Sequence, residues 1–156
     1  GFVLDNGRAL GEYIPFYFGR RMPMLYVIQR GFNSVIATQP GQIVYCVSST
    51  ADILEVGLDF VFTDGHAVDS FTSQFTKDDI YQIEKILDMD AIKARYWKSE
   101  TDLDLKRRKE AEFLVLGDIP YSAIRGFIVY NKNAKDQLQA MGVDEKIVHI
   151  HSKSYF

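Results

Sequence analysis

Apolar residues crowd the stretch Glu12 to Phe18 (EYIPFYF), where aromatic and β-branched side chains predict a strand. Pro15 inside it has no N–H for a sheet ladder, so the strand belongs at an edge or is irregular. Period-two alternation puts Tyr13, Pro15 and Tyr17 on one face and Phe16 and Phe18 on the other. Gly19, Arg20 and Arg21 form a turn, Pro23 suits the start of a short helix over Met24 to Gln29, and Gly31 to Gly41 reads as a loop. Gln42 to Ser49 is a second strand. A helix over Ala51 to Val56 follows, with Ser48, Ser49 and Thr50 as candidate caps and Gly57 as its stop. Asp59 to Asp64 (DFVFTD) is another strand, leading into Gly65 and His66, and Ala67 to Phe75 has no clear period.

Thr76 and Asp79 have capping-box spacing. Beyond them Ile80, Ile83, Leu87, Ala91 and Ala94 fall at helical steps and predict the longest helix, closed by Arg95, Tyr96 and Trp97. Lys98 to Lys109 is almost wholly polar and reads as a mobile loop. It runs into Phe113 to Leu116, a short apolar run stopped by Gly117-Asp118, hence a buried strand. Ile124 to Tyr130 is a strand, Asn133 to Met141 a helix ended by Gly142, and Lys146 to Ser152 a final strand. Gly1 to Gly11 is polar and glycine-rich, a surface approach. About six strands and four helices without βαβ alternation indicate an α+β fold with mostly antiparallel pairing.

With 156 residues, 47% hydrophobic and 13% aromatic, the chain predicts one globular domain over residues 1–156. A formal charge of −3 excludes nucleic-acid binding by global charge and leaves only a local patch. The single cysteine, Cys46, has no internal disulfide partner, which fits a reducing cytoplasm and a small core residue. No apolar run approaches the roughly eighteen residues of a membrane span, and no basic-then-apolar leader opens the chain.

Candidate chemistry concentrates in Lys106 to Val115 (KRRKEAEFLV). Four cations precede Glu112, which stands where polar chain turns into sheet, anchored by core and open to an anionic ligand. A charge run before a strand is more often a solvated face, so these residues alone do not establish catalysis. His149 and His151 share a strand face, but three histidines and one distant cysteine are too few for a zinc site. His66 by itself reads as a turn residue. Tyr13, Phe16, Tyr17, Phe18, Met24 and Tyr26 form an aromatic-rich cluster around Arg20 and Arg21, with one face free to offer phenols to a flat ring.

Several of these segments carry a resemblance. Glu12 to Tyr26 (EYIPFYFGRRMPMLY) is similar to the signature of the DarT family of DNA ADP-ribosyltransferase toxins. The match continues in order through Val47 to Ser49, Gly57 to His66 (GLDFVFTDGH), Ala94 to Trp97 (ARYW) and Lys109 to Val115 (KEAEFLV), and the final Tyr155-Phe156 resembles the family's ending. The resemblance implies an ADP-ribosyltransferase fold with an NAD cleft between two small sheets, transfer of ADP-ribose to a base of single-stranded DNA, and a macrodomain antitoxin of the DarG type as partner. By position, Glu112 matches the catalytic glutamate, His66 the active-site histidine, and Tyr17 and Met24 cleft residues near NAD. A family segment supplying a histidine for NAD and an arginine has no match upstream, so the chain is expected to lack its N-terminal NAD-binding part.

The implied chemistry suits these residues. Loss of nicotinamide builds positive charge on the ribose, as in glycoside cleavage, and a carboxylate such as Glu112 steadies it. Glu112 could also take a proton from the attacking base; His66 would orient substrate or phosphate and Tyr17 would stack on nicotinamide. Tyr96 and Trp97 could stack on bases while Lys106, Arg107 and Arg108 neutralise phosphates; Trp97 serves equally as a core cap. Two other readings stand beside this one: an ADP-ribosyltransferase acting on protein or RNA, and a catalytically silent module binding single-stranded nucleic acid.

Overall fold

The structure is a computed structural model that describes residues 1–156. Its first half contains β1 (Tyr13–Tyr17), α1 (Pro23–Arg30), β2 (Tyr45–Val47), α2 (Thr50–Glu55), β3 (Phe60–Thr63) and β4 (Gln74–Phe75). Then come α3 (Ile83–Ile86), α4 (Met89–Lys93), α5 (Leu105–Lys109) and β5 (Glu112–Leu116). The chain ends with β6 (Gly126–Val129), α6 (Lys132–Ala140) and β7 (Val148–Ile150). It forms two compact units, one from residues 1–23 and 57–118, the other from 24–56 and 119–156. Pairing is antiparallel throughout except between β6 and β7, so the α+β expectation stands.

The first unit is built on a four-stranded sheet in the order β1-β5-β3-β4. Pro15 lies on the edge strand β1, where its missing donor faces no ladder. Both faces of the sheet are covered. On one, Phe60 stacks on Phe113 at 4.6 Å, and Phe18 meets the same ring edge-on at 6.0 Å. On the other, Tyr13, Val61 and Leu114 bury themselves with Ala67 and Leu4. Full burial of side chains such as Leu114 and Phe62 is worth roughly 1.5–3 kcal/mol each. Leu4 corrects the expectation that residues 1–11 only skim the surface: a Val3–Ala9 bridge folds the segment back, and Leu4 is 3% exposed.

The second unit carries the sheet β2-β6-β7. Val129, Ala134 and Val148 form its buried centre, with α6 capped by the Asn131 side chain accepting from the Ala134 amide. Ser49 caps α2 by accepting from the Asp52 amide. Cys46 is exposed on β2 and is no core residue, because Tyr45 and Val47 take the inward side of that short strand. The strand expected over 42–49 shrinks to three residues after a 3-10 turn at Pro40–Gln42.

Two larger corrections fall in the first unit. The long helix after Thr76 is three pieces: a 3-10 turn at Lys77–Gln82, α3 and α4. The Thr76–Asp79 capping box forms, but Leu87 turns extended (ψ 141°) and Asp88 caps a new helix by accepting from Ala91 N at 2.9 Å. Leu87 and Ile92 would sit about 140° apart on a continuous helix. The break lets both enter one cluster with Met22 and Ala111. The polar stretch 98–109 likewise ends as a helix, α5, because its cations find carboxylates in Asp88, Asp102 and Asp104.

Candidate active site

β5 places Glu112 directly opposite Tyr17 of β1, so the two side chains project from the same sheet face. Thr63 ends β3 on that face as well, by alternation from Val61. The fully buried Thr63 hydroxyl donates to the Gly65 carbonyl at 2.6 Å and accepts from the Glu112 amide at 3.0 Å. Thus β5 is pinned at Glu112 to the turn that carries His66.

Glu112 is 7% exposed. Its Oε2 accepts from the Ala67 backbone amide at 2.7 Å and lies 3.5 Å from His66 Nδ1, long for a hydrogen bond but close for a charge pair. Oε1 has no partner, so one carboxylate oxygen is held and the other is available. The Glu112 carboxylate, aided by Glu110, raises the His66 pKa above its ordinary value, against the opposing effects of burial and Lys106. Burial first, then the charges of Glu112 and Glu110, push the Tyr17 phenol well above its usual range and keep it neutral. Glu110 is itself buried and meets Lys106 Nζ at 3.4 Å.

Glu112 and His66, the expected catalytic pair, therefore share one rim with Tyr17, the expected NAD-contacting residue. Met24 stands exposed on the first turn of α1, in the other unit. Tyr96 is exposed with the Arg95 guanidinium 5.8 Å from its ring centre, and Trp97 is half-buried. The basic run is organised differently from a free cationic patch. Arg108 is bonded to Asp88, Asp102 and Asp104, and Arg107 clasps Asp104 through Nε at 2.7 Å and a second nitrogen at 2.9 Å. Asp104 is pulled down to about 2, chiefly by its hydrogen bond from Arg107. Lys106 is half-exposed and keeps the most open cationic group of the three.

Lys109 is 1% exposed and points inward, donating to the Ile92 and Ala94 carbonyls at 2.9 and 2.7 Å. It thereby satisfies carbonyls at the C-terminal end of α4. Thr63 and the Ala67 amide are functional groups that no sequence motif marks. Period two along β3 could have placed Thr63 beside Glu112; a backbone donor leaves no mark in sequence.

Glu112, His66 and the neutral Tyr17 phenol thus stand at one rim of a four-stranded antiparallel sheet, and the fold is that of an ADP-ribosyltransferase. Thermus sp. 2.9 DarT in complex with NAD+ superposes with TM-score 0.85 at 31% identity, covering 98% of this chain and 77% of that one. The same protein in complex with ADP-ribosylated ssDNA gives TM-score 0.84 at 32% identity, covering 98% and 73%. The chain belongs to the DarT family: residues 3–156 match the model described as ssDNA thymidine ADP-ribosyltransferase, DarT. A DNA ADP-ribosyl transferase of Escherichia coli O127:H6 is 30% identical over 98% of this chain and 71% of its own length. One from Thermus sp. (strain 2.9) is 38% identical over 85% of this chain, which spans 60% of that relative. No helix is long and apolar enough to cross a membrane.

Proposed function

We propose that this chain transfers ADP-ribose from NAD to thymidine in single-stranded DNA, acting as a toxin restrained by a macrodomain antitoxin of the DarG type. One observation carries the reading: the Glu112 carboxylate is fixed at Oε2 and free at Oε1, beside His66 and opposite Tyr17. The activity that names the family and the Thermus complexes with NAD+ and with ADP-ribosylated ssDNA support it.

NAD supplies the ADP-ribosyl group and, as nicotinamide leaves with the bonding pair, a ribose carbon short of electrons. Glu112 Oε1 accepts from a ribose hydroxyl and sets a full negative charge against that carbon. Tyr17, a protonated phenol on the same face, packs against a flat ring without adding charge. As a ring nitrogen of thymine bonds to the ribose carbon, its proton passes to the Glu112 carboxylate or, through it, to solvent. His66 beside Oε2 stabilises the anion before transfer. The base must be unpaired to reach the rim, which favours single strands. Lys106 is assigned the phosphate contact, with Tyr96 and Trp97 as stacking surfaces. Arg107 and Arg108 are assigned to holding the protein itself.

The test is mass spectrometry of nucleosides from single-stranded oligonucleotides incubated with the protein and NAD. ADP-ribosylated thymidine is expected, and thymidine-free oligonucleotides should stay unmodified. Label on protein or RNA with unmodified DNA would overturn the reading.

A further inference from the structure

We propose that Arg107 is a positioning residue for the Glu112 carboxylate, acting by holding the 64–72 loop in the one arrangement that brings the Ala67 amide and His66 to Oε2. The inference rests on the reading of Glu112 as catalytic. The loop donates both partners of Oε2, yet little of it packs in the core: Phe71 is 82% exposed and Val68 45%. Arg107 supplies what the core does not. Its carbonyl accepts from the His66 amide at 2.9 Å, and its guanidinium donates to Thr72 Oγ1 at 3.2 Å. The same guanidinium lies 3.5 Å from Asp64 Oδ1, so Arg107 grips the loop at its entry, at His66 and at its exit.

The fit is close as well as polar. Gly65 lies against the Arg107 stem, and a Cβ built there would meet Arg107 Cγ at 3.0 Å and Thr72 Oγ1 at 2.8 Å. From the opposite side, Asp104 holds the guanidinium by a two-point fork that a lysine could not reproduce. Only 14% of the Arg107 side chain is exposed, which leaves little of it to meet a DNA phosphate. Charge alone is therefore not its contribution; the planar fork is.

The charged groups that act most strongly on His66 are Glu112, Glu110 and Lys106, and Arg107→Lys leaves all three in the sequence and keeps its own positive charge. The His66 titration midpoint thus reports whether Glu112 still sits beside it. Proton NMR titration of His66 in the parent, Arg107→Lys and Thr72→Val reads this without any catalysis. The expected midpoint lies above the ordinary histidine value in the parent and falls by about half a pH unit or more in Arg107→Lys. A smaller fall is expected in Thr72→Val, which removes one hydroxyl from a part-exposed site and leaves the core intact. On the same samples, DNA-free cleavage of NAD should lose about ten-fold in kcat in Arg107→Lys. Affinity for single-stranded DNA and its salt dependence should stay at the parental value. An unchanged His66 midpoint in both variants overturns the proposal, as does a loss confined to DNA affinity. A parent that never cleaves NAD would refute the catalytic reading of Glu112, while the titration would still decide the role of Arg107.

Discussion

Glu112→Gln is expected to lower ADP-ribose transfer at least about 100-fold while leaving the thermal midpoint close to the parent's. The amide has nearly the shape of the carboxylate, and its oxygen can accept from the Ala67 amide as Oε2 does at 2.7 Å. Strand pairing to Tyr17 and the Thr63 bond to the Glu112 backbone are untouched. What disappears is the negative charge that faces the ribose carbon, at a rim where the side chain is 9% exposed and water screens poorly. The loss should therefore fall on turnover more than on NAD affinity. Labelled-NAD transfer to single-stranded DNA, run beside a thermal melt, checks both halves. A variant retaining a third of parental turnover would show that another group carries the reaction.

Lys109→Ala is expected to have the largest effect on stability, about 3 kcal/mol or roughly 10 °C in Tm. Two causes add. The stem is fully buried, so truncation leaves a cavity. The Ile92 and Ala94 carbonyls also lose their donor. Burial and the nearby Arg21 charge already hold the Lys109 pKa below its usual value, so the two carbonyls are what keep the ammonium inside. Lys109→Met keeps most of the volume and should lose about half as much. Lys93→Ala, at an exposed position on α4, should change little. A melt of Lys109→Ala within a degree or two of the parent would contradict this account of the buried ammonium.

The strands that form the site were legible because apolar alternation is a local property. β1, β3 and β5 fall where the sequence predicts them, and the shared face of Tyr13, Pro15 and Tyr17 is the one that also bears Glu112. The helices are less legible where partners are distant. Ile80 to Ala94 has a helical period, yet the break at Leu87 depends on the Asp88 cap and on the Arg108 side chain, twenty residues away, holding Asp88. In the basic run the sequence shows cations without their partners. Asp102 and Asp104 lie within the same polar stretch and are the local signal for helix α5, whereas Asp64 and Asp88 meet it only in the fold. The anchor of Glu112 was the least legible element, since one donor is a backbone amide and the other atom involved is a threonine hydroxyl within a buried strand.

The central claim is that the unengaged oxygen of Glu112 meets the ribose whose bond to nicotinamide breaks. A crystal structure of this protein with a non-cleavable NAD analogue measures that contact directly. The account predicts Glu112 Oε1 within about 2.6–3.2 Å of a hydroxyl on the nicotinamide ribose, with Oε2 still on the Ala67 amide. A nicotinamide ribose bound away from β5, with Glu112 touching no part of it, would contradict the account.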